Sequence, residues 1–172
     1  MGPGYVHIYT GNGKGKTTAA FGLALRAAGA GLRVFIGQFV KGMHYSEIDA
    51  VEKLLPTVTL RQYGQGCFVT RTPSEGDREA ARQGLADAAE RLRSGEYSLV
   101  ILDEACVAVD LGLIETDALL DIVRQRPRGT ELVLTGRNAP SELVDIADLV
   151  TEMREVKHYY TRGVQARVGI EK

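Results

Sequence analysis

The residues best equipped for chemistry form one run, Thr10-Gly11-Asn12-Gly13-Lys14-Gly15-Lys16-Thr17-Thr18. An apolar segment (residues 5–10, YVHIYT) precedes it. A segment rich in alanine and leucine (16–30) follows, with Phe21, Leu25 and Ala28 at helical spacing. Strand, glycine-rich turn and helix, in that order, are the setting of a phosphate-binding loop. The glycines let backbone amides turn inward around phosphate oxygens, and the helix N-terminus adds the positive end of its dipole. Lys16 is placed to reach terminal phosphates, and the Thr17 hydroxyl to ligate magnesium. The usual pattern, GxxxxGK[ST], has glycine where this chain has Thr10. The alternative for the run is a glycine-rich turn that binds nothing.

A second signal is Leu99-Val100-Ile101-Leu102-Asp103-Glu104, an apolar strand that ends on two acids. Alone, acids after a strand are commonly helix caps. Behind a phosphate loop, an acid at this place holds magnesium, with Glu104 preferred over Asp103. Absent motifs narrow the chemistry. No Asn-Lys-x-Asp run reads guanine. His7, His44 and His158 form no triad or metal cluster, and no protein nucleophile stands out. Cys67 and Cys106 are too few and too far apart for a disulfide framework or a zinc knuckle.

These groups need a scaffold. The chain has 172 residues, 44% hydrophobic and 25% charged, with 21 Lys and Arg against 22 Asp and Glu. That size suits a single domain spanning 1–172. The net charge of −1 argues against a nucleic-acid partner. No apolar run is long enough for a membrane span, and no signal peptide is evident, so a reduced, cytoplasmic protein is expected. Strands are expected over 5–10, 32–39, 57–63, 98–102, 131–135 and 149–153, and helices over 16–30, 46–55, 75–94, 116–126 and 141–147. Continuous apolar strands separated by helices imply a mainly parallel sheet with helices on both faces. With the phosphate loop, this is a three-layer α/β fold of the P-loop NTPase-like (RecA-like) kind. Ligands of such sheets bind beyond the carboxyl ends of the strands.

The residues also resemble one family, the ATP:corrinoid adenosyltransferases. The resemblance runs from Tyr9 through Ala20 to Gly22 and Arg26, and returns at Gln38-Phe39, Lys41-Gly42, Leu102-Asp103-Glu104 and Arg126-Pro127. It continues through Thr135-Gly136-Arg137, Pro140 and Ala147–Met153 to Val156-Lys157-His158, Gly163, Ala166 and Gly169-Ile170-Glu171. It implies transfer of the 5′-deoxyadenosyl group of ATP to Co(I) of a reduced corrinoid, cobalamin or a precursor, with triphosphate leaving. A nucleophile carried by the corrinoid needs none from the protein.

The resemblance implies ATP contacts from Thr10 through Thr18 and from Arg26 and Arg137. Mg²⁺ would lie on Thr17 and Glu104 or Asp103, with Lys16 and Glu104 catalytic. Lys157 and His158 would meet the corrinoid, and Gln38 and Lys41, ending the second strand, could line the site. It further implies a homodimer and an electron-donating flavoprotein partner. Other reactions compatible with a phosphate loop are those of an ATPase or small-molecule kinase; a nucleotide-binding carrier or regulatory module is the non-enzymatic alternative.

The family's Gly-x-Gly-Phe-x-Trp loop is altered to Tyr63-Gly64-Gln65-Gly66-Cys67-Phe68-Val69-Thr70, and the chain has no tryptophan. Phe68, one place late, is expected to pack against the corrinoid and displace the lower cobalt ligand. With only four residues ahead of the first strand, closure over the corrinoid is expected from the loop at 64–76.

Overall fold

A computed structural model describes residues 2–64 and 72–172. Six strands form one sheet: β1 (Val6–Thr10), β2 (Val34–Phe39), β3 (Val58–Tyr63), β4 (Leu99–Asp103), β5 (Glu131–Thr135) and β6 (Leu149–Glu152). Every pairing is parallel, in the order β3-β2-β4-β5-β1-β6. The strand that leads into the phosphate loop therefore does not touch the acid-ended strand, because β5 lies between them. Helices α1 (Lys16–Gly29), α2 (Ser46–Leu54), α3 (Glu75–Arg93), α4 (Ala105–Asp110), α5 (Thr116–Arg124) and α6 (Ser141–Ile146) complete the three layers, and one 3₁₀ turn spans Tyr159–Arg162.

Side-chain alternation along the strands explains the layers. Val34 and Ile36, Leu99 and Ile101, and Val133 face the small-residue stripe Ala20, Ala24 and Ala27 of α1, and Val51 of α2. The intervening residues Phe35 and Phe39, Val100 and Leu102, and Leu132 and Leu134 face α3, α4, α5 and α6 through Ala88, Leu92, Cys106, Leu119 and Leu143. β2 and β4 are buried along their whole length, as central parallel strands covered on both faces must be.

This period of two also builds the site. On the α1 face the rows Val34-Ile36, Leu99-Ile101 and Val133 each end, one step further, on a buried polar residue: Gln38, Asp103 and Thr135. Three polar side chains thus converge where α1 begins.

Most expected elements are present within a residue or two. Ser74 caps α3, its Oγ accepting from the Asp77 N–H while the Asp77 carboxylate accepts from the Ser74 N–H. α4 was not foreseen. Its sequence, ACVAVD, lacks helical spacing, and the helix exists because Glu104 takes a left-handed backbone (φ 59°) and turns Ala105, Cys106 and Ala108 into the core. β4 also runs one residue further than expected, so that Asp103 belongs to the strand. Among the described residues no helix is long and apolar enough to cross a membrane.

Candidate active site

The phosphate loop connects β1 to α1. Thr10, at the position where glycine is usual, is the last residue of β1 and pairs with Glu152 in β6. In a strand the Cβ is no obstacle, and the Thr10 Oγ1 accepts a hydrogen bond from the Ala139 N–H (3.4 Å). The turn begins one residue later, at Gly11. Gly13 is required by close approach: its N–H donates to the Met153 carbonyl (2.6 Å), and a Cβ there would lie 2.6 Å from that same oxygen. The chain leaving β6 thus forms one wall of the loop.

Lys16 is buried, and its ammonium donates to the Gly11 and Gly13 carbonyls (2.7 and 2.8 Å). It bridges the loop's own backbone across the space the loop encloses. Burial pulls its pKa below that of an ordinary lysine; nearby Arg137 adds to this, while Glu104 and Asp103 oppose it.

Asp103 is the hub. Its carboxylate is wholly buried and accepts from four donors: Thr17 Oγ1 (2.9 Å) and Thr135 Oγ1 (2.7 Å) on Oδ1, Lys41 Nζ (2.8 Å) and Gln38 Nε2 (3.2 Å) on Oδ2. Gln62 orients Gln38 by donating to its Oε1 (3.1 Å) while also holding the Met43 carbonyl (3.0 Å). Burial lowers the pKa of Lys41, but the Asp103 carboxylate outweighs that and keeps it above the usual lysine value.

Glu104 differs in every respect. Its N–H donates to Thr135 Oγ1 (2.9 Å), but among the described residues its carboxylate has no hydrogen-bond partner. Burial first, and Asp103 second, push its pKa above the usual carboxylate value, against the pull of Lys41, Lys16 and Arg137. A carboxylate with free lone pairs, facing three cations, is suited to receive one more cation. A hydroxyl and two carboxylates make a hard oxygen donor set of the kind that would suit magnesium.

Arg137 stands exposed after β5 and, with Asn12, Glu152, Arg154 and Glu155, lines a cleft of ≈ 330 Å³ beside the loop. Thr18 is exposed at the start of α1. Arg26 is not brought to the loop: it lies exposed in the last turn of α1, about 15 Å along the helix axis from Lys16.

Lys14 turns to the C-terminal tail. Its ammonium donates to Glu171 Oε1 (2.9 Å), Tyr159 Oη (3.2 Å) and the Ile170 carbonyl (3.2 Å), so all three N–H groups are used. Glu171 also accepts from Tyr159 Oη and Arg167, which with Lys14 hold its carboxyl well below the usual range. His158 caps the 3₁₀ turn by accepting from the Tyr160 N–H (3.0 Å) and packs on Tyr159; Lys157 is exposed. Phe68, with Cys67, lies outside the described residues.

Sequence reasoning missed the roles of Thr135 and Gln62. Both are polar residues at the carboxyl ends of strands, and that position was the available signal.

The fold and this site define a phosphate-loop nucleotide-binding protein. The chain belongs to the ATP:corrinoid adenosyltransferase BtuR/CobO/CobP family, whose model matches residues 3–171. It is 35% identical over 169 residues to a corrinoid adenosyltransferase of Pseudomonas aeruginosa, covering 98% of this chain and 83% of that protein. It is 34% identical over 170 residues to a corrinoid adenosyltransferase of Escherichia coli K12 (98% and 85%) and 33% identical to corrinoid adenosyltransferase CobA of Salmonella typhimurium (98% and 85%).

Proposed function

We propose that the protein transfers the 5′-deoxyadenosyl group of ATP to the Co(I) centre of a corrinoid in adenosylcobalamin biosynthesis or salvage. The match over residues 3–171 carries this reading, and the site agrees with it chemically. Cys106 is fully buried with its thiol pushed up to about 12, so it cannot act as a nucleophile. The attacking electron pair comes instead from Co(I). The Co–C5′ bond forms as the C5′–O bond breaks, cobalt passes from Co(I) to Co(III), and triphosphate leaves with the electron pair of the broken bond.

The protein's part is to position C5′ and to stabilise the growing charge on the leaving group. The loop amides and Lys16 receive phosphate oxygens. Arg137 faces the same space from the end of β5. Thr17, Glu104 and Asp103 would hold magnesium, which supplies Lewis-acid neutralisation of the triphosphate. Phe68 would cover the corrinoid, with Lys157 and His158 contributing from the tail.

Because cobalt must arrive as Co(I), the reading includes an electron-donating flavoprotein and a cytoplasmic setting. Among the described residues β6 is an edge strand whose Leu149 and Val150 are each 42% exposed, and pairing of such an edge with a second copy supports a homodimer.

The test is to incubate the protein with ATP, magnesium and chemically reduced cobalamin. A Co–C absorption band and stoichiometric triphosphate are expected. ADP without Co–C bond formation would overturn the reading in favour of phosphoryl transfer.

A further inference from the structure

The Lys41 ammonium stands at the spot that a phosphate loop gives to its metal. It is 2.8 Å from Asp103 Oδ2 and 3.4 Å from Thr17 Oγ1, bridging the same two side chains that would hold the divalent ion. Two backbone features put it there. Val40, a β-branched residue, is held in the left-handed region at φ 62°, a costly conformation that persists only where its surroundings impose it. Gly64 presses on the next residue: a Cβ on it would lie 2.6 Å from the Lys41 carbonyl carbon and oxygen. The bend after β2 therefore aims the Lys41 side chain into the site, where it is 11% exposed. There is also a second place for the ammonium to go. Glu47 Oε1 lies 4.0 Å away on its solvent side, and the Tyr45 ring lies 5.6 Å from it.

We propose that Lys41 is an exchangeable counter-cation: its ammonium neutralises Asp103 until a divalent metal binds Thr17 and the acids, and it then moves to Glu47. The inference rests on the metal-dependent reading above. Two cations cannot share one carboxylate oxygen and one hydroxyl at these distances without strong repulsion. Exchange avoids leaving Asp103 buried and unpaired at any stage, a situation proteins rarely tolerate. Lys41 is on this account a positioning residue that sets metal affinity, and Glu47 determines how readily it leaves.

The two residues should act with opposite sign. Mn²⁺ alone, titrated into the nucleotide-free protein and followed by its EPR signal, should bind Lys41→Met roughly tenfold more tightly than wild type, as removal of one partly screened neighbouring charge predicts. Glu47→Gln should bind Mn²⁺ several-fold more weakly. A merely structural lysine would give no such opposition. If Lys41→Met binds Mn²⁺ no more tightly than wild type, displacement is wrong; if Glu47→Gln is unchanged, Glu47 is not the second station.

An arm on wild type avoids any folding defect of Lys41→Met. Saturating Mn²⁺ should raise acetylation of Lys41 several-fold relative to exposed Lys53, and an unchanged ratio would overturn the exchange. None of these readouts uses corrinoid. Wild type that fails to make a Co–C bond would refute the reaction without deciding the exchange, and wild type that makes it can still fail here.

Discussion

The two adjacent acids at the end of β4 divide their work by environment. Asp103 is saturated by four protein donors, and removing it would strip Thr17, Thr135 and Gln38 of their shared acceptor and leave the nearly buried Lys41 only the more distant Glu47. Asp103→Ala should therefore cost stability as well as activity, on the order of 3–5 kcal/mol for breaking a buried pair. Glu104 contributes no side-chain hydrogen bond to the described fold. Glu104→Gln should melt within a degree or two of wild type while turnover falls at least ~10²-fold, the usual loss when one group that stabilises leaving-group charge is removed. Thermal melts and adenosyl-transfer rates of the two variants decide the matter; a large melting shift in Glu104→Gln with Asp103→Ala unaffected would reverse the assignment. Phe68 is tested by starting the reaction from two states of cobalt. Phe68→Ala should be near normal from chemically prepared Co(I) but strongly impaired from Co(II) with a weak reductant. On the proposed role, its ring would keep the axial ligand away from the lower face and so ease the reduction. Equal losses in both assays would assign Phe68 to the fold or the ATP site.

At the scale of elements, the phosphate loop is a contact between two strand ends as much as a turn. The Thr10 carbonyl accepts from the Met153 N–H (2.8 Å) and the Gly13 N–H donates back to Met153 (2.6 Å), so the loop is held against the chain leaving β6. Gly13→Ala would drive a methyl group into the Met153 carbonyl, and either the loop or the β6 exit must move. ATP affinity measured by calorimetry should fall at least ~10-fold, about 1.4 kcal/mol. Gly22→Ala is the control, since nothing lies within 4 Å of a Cβ at that position; its affinity should match wild type. Equal affinities for all three proteins would show that the loop's hold on Met153 is incidental to nucleotide binding.

Taken as a whole, the molecule folds its C-terminus back over the loop. The tail leaves β6, reaches Lys14 through Tyr159, Ile170 and Glu171, and ends with the Lys172 carbonyl accepting from Ser46 Oγ at the start of α2 (3.0 Å). Arg167, Tyr159 and Lys14 depress the pKa of Glu171. A carboxyl with a lowered folded-state pKa contributes stability that is present above its unfolded value, near 4.3, and lost as pH falls through the folded value. Docking of the tail should therefore be intact at neutral pH and weaken below about pH 4. Being a partly exposed cluster, it should also weaken with salt. Hydrogen exchange should show residues 159–172 losing protection in Glu171→Gln at neutral pH, with the amides of β2 and β4 unchanged. Tail protection equal to wild type in that variant would mean that Glu171 is not what holds the tail.

The sequence by itself determined the features set by neighbours along the chain. These are the glycine-rich turn between an apolar strand and an alanine-rich helix, the acid-ended strand, and the period-two runs that require a parallel sheet covered on both faces. Local sterics and side-chain alternation encode all of them. What only tertiary structure decided are pairings between residues distant in sequence. That Asp103 rather than Glu104 is saturated depends on Thr17, Gln38, Lys41 and Thr135, which lie on three other segments, brought together because β4 is flanked by β2 on one side and β5 on the other with α1 across its end. Lys14 reads in sequence as one more phosphate ligand, and its partner Glu171 lies 157 residues away. α4 likewise has no helical pattern of its own; the left-handed turn at Glu104 and the burial of Ala105, Cys106 and Ala108 made it a helix. Periodicity specifies which face of a strand a side chain takes, but which strands stand side by side, and so which charges meet, is settled by the packing of the whole sheet.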